Sequence, residues 1–131
     1  QRLVAYTPSW TASGTAPSIG NGSITGYYTR SGALVTAYIT LSYGTTTTGG
    51  TGSWRFSLPL DDYQYVVHES GTGHTSGGTI NFIIVPQVSP GNQYVTLFTT
   101  NGSDALSNLG DASTTWGTST VIRFSVQYFT N

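Results

Sequence analysis

His68, Glu69 and His74 are the metal-type residues that stand closest together in this chain. A helical zinc site needs two histidines one turn apart on one face, with a glutamate between them. Here the histidines are six residues apart across a Gly-rich turn. That spacing suits a loop histidine and a solvated strand end, so no metal or other cofactor is expected. Asp61 and Asp62 are adjacent, just after Pro59. Glycoside hydrolysis pairs a raised-pKa acid with a second carboxylate across the sugar. Neighbouring residues in a turn seldom face each other that way, and a polar turn is the plainer reading. Asp104 and Asp111 lack the oxygen-ligand spacing of an EF-hand loop, and capping of a short helix explains them. No Gly-x-Ser-x-Gly elbow occurs. Gly20-x-Gly22 and Gly71-x-Gly73 do not extend into a dinucleotide fingerprint. With no cysteine and no lysine, covalent catalysis would fall to Ser, Thr or a carboxylate. The chain is expected not to be an enzyme.

The aromatic residues offer binding chemistry instead. Trp116 lies in the Thr/Gly segment Asp111 to Ser119, away from any apolar alternation. Tyr63 and Tyr65 straddle a loop-to-strand junction beside Asp61 and Asp62. A stacking face with nearby carboxylate acceptors is what sugar recognition uses, and tyrosine also packs well at protein interfaces. Trp116, Tyr63, Tyr65, Asp61 and Asp62 are therefore the candidate ligand-binding residues. The alternative is that they seal the open end of the fold. Two Asn-Gly-Ser sequons, at Asn21 and Asn101, match the glycosylation pattern.

Strands must position these residues, because the apolar pattern has period two almost throughout. Arg2 to Tyr6 reads as a first strand closed by Pro8, with Trp10 in an irregular segment that ends at Gly20-Asn21-Gly22. Ser23 to Arg30 is the second, with Ile24, Gly26 and Tyr28 on one face. Ser31-Gly32 reads as a two-residue hairpin loop. Ala33 to Tyr43 alternates most clearly, placing Ala33, Val35, Ala37, Ile39, Leu41 and Tyr43 on one face and Leu34, Thr36, Tyr38, Thr40 and Ser42 on the other. Gly44 to Gly52 is a Thr/Gly loop. Ser53 to Leu58 follows, with Trp54, Phe56 and Leu58 inward and Pro59 as the stop. Gln64 to Glu69, Thr79 to Val85, Gln93 to Thr99 and Ser119 to Phe129 complete about eight strands. Ser70 to Gly78 reads as a Gly-rich loop holding His74. Ser103 to Leu109 is the one helix candidate. Turn signals every dozen residues point to an all-β fold, an antiparallel β-sandwich of jelly-roll type.

At 131 residues the chain suits one domain spanning 1–131, able to bury a core without disulfides. Charged residues are 7% of it, against about 25% in an average soluble domain. All four basic residues are arginines, and the net charge is −1. That balance gives no electrostatic footprint for nucleic acid or an anionic membrane. No apolar run is long enough to span a bilayer as a helix. The chain begins at Gln1 and contains no methionine, so a processed or excised part of a longer protein is expected.

Several stretches resemble a β-domain of tailed-bacteriophage virion surface proteins, chiefly tail-fibre and tail-tip proteins. They are Tyr6-Thr7-Pro8-Ser9-Trp10-Thr11, the series from Pro17 to Tyr28, Gly52 to Pro59, and the strand Val121 to Phe129. Asp61 to Gly117 has no counterpart. These motifs are turn glycines, an inward Trp and a strand-stopping Pro, so they carry no site residues across. The resemblance implies a virion-surface, extracellular location and frequently a trimer. It leads us to expect a non-enzymatic domain that binds a host-surface receptor, glycan or protein, at the tip of a tail fibre. Capsid or tail decoration without a ligand is one alternative. A carbohydrate-binding module of a secreted enzyme, acting as a monomer, is another. The apolar run Phe82-Ile83-Ile84-Val85 is the expected subunit contact of a homotrimer.

Overall fold

A computed structural model describes residues 2–60, 70–76, 83–88, 93–100, 106–108 and 120–130. Ten strands run through them: β1 (Val4–Tyr6), β2 (Trp10–Ala12), β3 (Ser23–Ser31), β4 (Leu34–Ser42), β5 (Trp54–Ser57), β6 (Ser70–Ser76), β7 (Ile83–Val88), β8 (Tyr94–Thr100), β9 (Leu106–Asn108) and β10 (Val121–Phe129). All pairings are antiparallel. The ladder follows the order β1-β3-β4-β10-β6-β7-β8-β5-β2, with β9 beside β8. Among the described residues, Gly73↔Ile84 and His74↔Ile83 pair β6 with β7. The strands form two antiparallel sheets packed against each other, a β-sandwich. Pro86 lies in β7, paired with Leu97 of β8. A proline has no N–H to give a ladder, so it suits a stretch paired on one side only.

Period-two alternation builds the core. Val35, Ala37, Ile39 and Leu41 of β4 and Ile122, Phe124, Val126 and Tyr128 of β10 are buried. Trp54 and Phe56 of β5, Val88 of β7, and Val95 and Leu97 of β8 face them from the other sheet. The Phe56 and Phe124 rings meet across the layers at 5.3 Å, edge to face. Burying a side chain of this size stabilises by roughly 1.5–3 kcal/mol relative to leaving it exposed. Of the residues expected inward on the two long core strands, Val35, Ala37, Ile39, Leu41, Tyr43, Ile122, Phe124, Val126 and Tyr128 are buried, whereas Ala33 is exposed.

Four local expectations are corrected. The β3–β4 loop is Gly32-Ala33, one residue later than predicted, and Ala33 is exposed. Gly32 takes φ 61°, which glycine adopts without the steric cost a Cβ would bring. Trp10–Ala12, read as irregular, pairs with β5. Ser70–Ser76, read as a Gly-rich loop, is a strand whose ladder partner is β10. Gly71 pairs with Val126 and Gly73 with Phe124, so long-range pairing overrides the weak strand preference of glycine. His74 accordingly sits on a strand, opposite Arg123. Leu106–Asn108, within the expected helix, is β9, paired with Phe98 to Thr100. A three-residue strand beside an existing edge wins over a helix too short to nucleate.

Candidate functional site

The first twenty-odd residues do not pack as a regular strand, because Pro8 and Pro17 interrupt the ladder. They run instead along the Thr/Gly loop. Ser18 and Thr48 exchange backbone hydrogen bonds of 2.9 and 2.8 Å. Gly14 N donates to Thr51 O at 3.0 Å, and Thr51 N to Thr15 O at 3.1 Å. Threonine hydroxyls close the remaining gaps. Thr47 Oγ1 donates to Ile19 O at 2.6 Å and accepts from Gly44 N at 2.8 Å. Asn21 clasps the same loop: its Oδ1 accepts from Thr46 N at 3.0 Å, and its Nδ2 donates to Thr45 Oγ1 at 2.7 Å. Gly22 lies so close to this loop that a Cβ there would meet Ser42 O at 2.5 Å.

The N-terminal segment and the start of β3 line a cleft of about 390 Å³. Pro8, Trp10, Pro17, Ile19 and Ile24 supply its apolar lining, and Thr7, Ser9 and Ser23 its hydroxyls. Among the described residues no ionisable side chain lines it. The described lining can hold a neutral group by contact and hydroxyl hydrogen bonds. Trp10 is held from behind by aromatic rings: Trp54 at 5.2 Å, Tyr43 at 5.9 Å and Phe56 at 6.2 Å.

Charge appears on the outer face of the second sheet. The register aligns Thr11, Arg55, Thr96 and Gln87 across β2, β5, β8 and β7. The Arg55 guanidinium lies 4.9 Å from the centre of the Tyr94 ring. Its Nε is buried without a hydrogen-bond partner. Trp10 Nε1 and Tyr43 Oη are the other two such atoms among the described residues. On the first sheet, Tyr27 and Tyr38 pair across β3 and β4 and are each 45% exposed. Burial pushes the Tyr43 phenol well above its ordinary pKa. Burial, reinforced by nearby Tyr128, does the same to Tyr6.

Most of the residues singled out in the sequence fall on positions that the structure does not describe. Trp116, Tyr63, Tyr65, Asp61 and Asp62 lie outside the described residues, as do His68, Glu69, Asp104, Asp111 and Phe82. Ile83, Ile84 and Val85 belong to β7, where Ile84 pairs with Thr99 and Val85 with Phe98. Sequence reasoning missed the cleft and the Arg55 row. Two prolines flanking a Trp in a stretch without period two would have marked the cleft. Arg55, between inward Trp54 and Phe56, would have marked the outward row.

No protein-family model matches the chain, and no curated protein matches it. Among solved structures, the crystal structure of the Dettilon tailspike protein, a phage tailspike, is similar in fold. The TM-score is 0.75 at 13% sequence identity, over 99% of this chain and 24% of that one. The chain thus spans about a quarter of the length of the protein it matches.

Proposed function

We propose that this sandwich is a non-enzymatic domain of a bacteriophage tail protein that attaches the virion to a glycan or protein of the host surface, at the tip of a tail fibre. The observation that carries the reading is the fold shared over 99% of the chain with part of a tailspike protein. The motif resemblance to virion surface domains supports it from the sequence side. The cleft and the outer sheet faces offer contact surfaces with hydroxyl, amide, aromatic and guanidinium groups. The domain acts on the outside of the particle and assembles as a homotrimer. The test is adsorption of the fluorescently labelled domain to a panel of bacterial strains, read by flow cytometry. Saturable binding to a subset of strains is expected. Absence of saturable binding to every strain would overturn the reading.

A further inference from the structure

We propose that Arg55, seated on Tyr94, is an anion-recognition point that takes a carboxylate or phosphate group carried on a host-surface glycan. This rests on the attachment reading and names the chemistry of its ligand.

A guanidinium on an aromatic face gains a cation–π attraction and loses much of its rotational freedom. Arg55 has that support from Tyr94 at 4.9 Å. Its buried Nε makes no hydrogen bond. A buried donor of a charged group without an acceptor is costly, so its retention calls for an explanation. An anion on the Nη groups would offset part of that cost through its charge, without reaching Nε.

Geometry sets the mode of contact. Nε is closed off, so an anion must meet the guanidinium end-on through its two Nη groups. The Nη groups are not enclosed without partners, as Nε is. Two parallel N–H···O bonds from a planar fork match a carboxylate or phosphate better than a lysine ammonium would. The cross-strand neighbours on either side are Thr11 and Thr96, followed by Gln87. This row offers hydroxyl and amide groups next to the cation, which suits an anionic group on a hydroxylated scaffold. The overall sequence is poor in charge, at 7%, so a guanidinium held in place on an aromatic ring stands out as a point of specificity.

The probes are glucuronate and N-acetylneuraminate for a carboxylated sugar, glycerol-3-phosphate for a phosphate polymer, and glucose as the neutral control. Each is titrated into the 15N-labelled domain, following the Thr11, Arg55 and Thr96 amides and the Arg55 Nε–H. A carboxylate or phosphate probe is expected to move these signals while glucose does not. The more effective of the two distinguishes the source of the anion. Arg55→Gln should weaken that response about tenfold or more, the scale of a hydrogen bond to a charged group. Arg55→Lys keeps the charge and loses the fork, and it should recover only part of the response. Tyr94→Phe keeps the ring and should leave it intact.

The proposal is overturned if no anion moves these signals, if glucose moves them equally, or if the Arg55→Gln response equals that of the unaltered domain. Unresponsiveness because Arg55 is already paired, with a carboxylate of this chain or of a second copy, overturns it as well. Adsorption to cells separates this failure from failure of the attachment reading. Arg55→Gln adsorbing to cells as well as the unaltered domain refutes the anion point and leaves attachment standing. Anion binding without adsorption to any strain refutes attachment instead.

Discussion

The indoles of Trp10 and Trp54 meet edge to face at 5.2 Å and 87°, yet only one of them has a hydrogen bond. Trp54 Nε1 donates to Gly49 O at 2.6 Å and so ties the Thr/Gly loop to the core. Trp10 Nε1 is buried a few ångströms away with no partner. The pair is where the N-terminal segment, the loop and the sandwich core come together.

Substitution of the two should therefore differ in cost. Trp54→Phe removes a buried donor and strands the Gly49 carbonyl, so it should cost the lost bond, about 1–3 kcal/mol, on top of the smaller ring. Trp10→Phe removes a donor that had no acceptor, and should cost only the lost ring contact. Urea unfolding of both variants checks this. Equal losses, or a larger loss at Trp10, would contradict the assignment of the loop tie to Trp54.

Alkaline pH should unfold the protein in a defined direction. Tyr6 and Tyr43 stay neutral in the fold because burial raises their pKa above the ordinary value of 10.0. Below that pH both states keep the phenol protons, and this contribution to stability is fully present. Above it the unfolded chain releases protons that the folded chain retains, so stability falls as pH rises. Tyr43→Phe removes one such group, and its hydroxyl has no partner to lose. The variant should be at least as stable at neutral pH and should lose stability less steeply above pH 10, in urea titrations across the alkaline range. An unchanged slope would contradict the burial of that phenol.

Oligomeric state bears on the proposed trimer. Light scattering on the purified domain should give three protomer masses at micromolar concentration. A monomer would remove the homotrimer from the account. It would also favour the reading as a carbohydrate-binding module.

The fold was largely legible in the sequence because both long core strands alternate strictly. Ile122, Phe124, Val126 and Tyr128 could be assigned inward from spacing alone, as could Val35 through Tyr43. Where pairing partners rather than side chains decide the strand, the reading went astray. Gly71 and Gly73 have no apolar side chain to mark a face, yet they pair with Val126 and Phe124. Leu106–Asn108 became a strand through the edge of β8. The candidate site was less legible. The cleft depends on hydrogen bonds between Ile19–Gly22 and a loop more than twenty residues later, and no local pattern encodes that meeting. Arg55 looked like an ordinary outward strand residue, since its seat on Tyr94 arises only when β5 and β8 align.

Attachment to a host surface is most directly measured by adsorption of the labelled domain to bacterial cells before and after mild periodate treatment. Periodate cleaves vicinal diols and so destroys most surface sugars while leaving most protein. The account predicts saturable adsorption to particular strains, lost after periodate where the receptor is a glycan and kept where it is a protein. A domain that adsorbs saturably to no strain, treated or untreated, would contradict it.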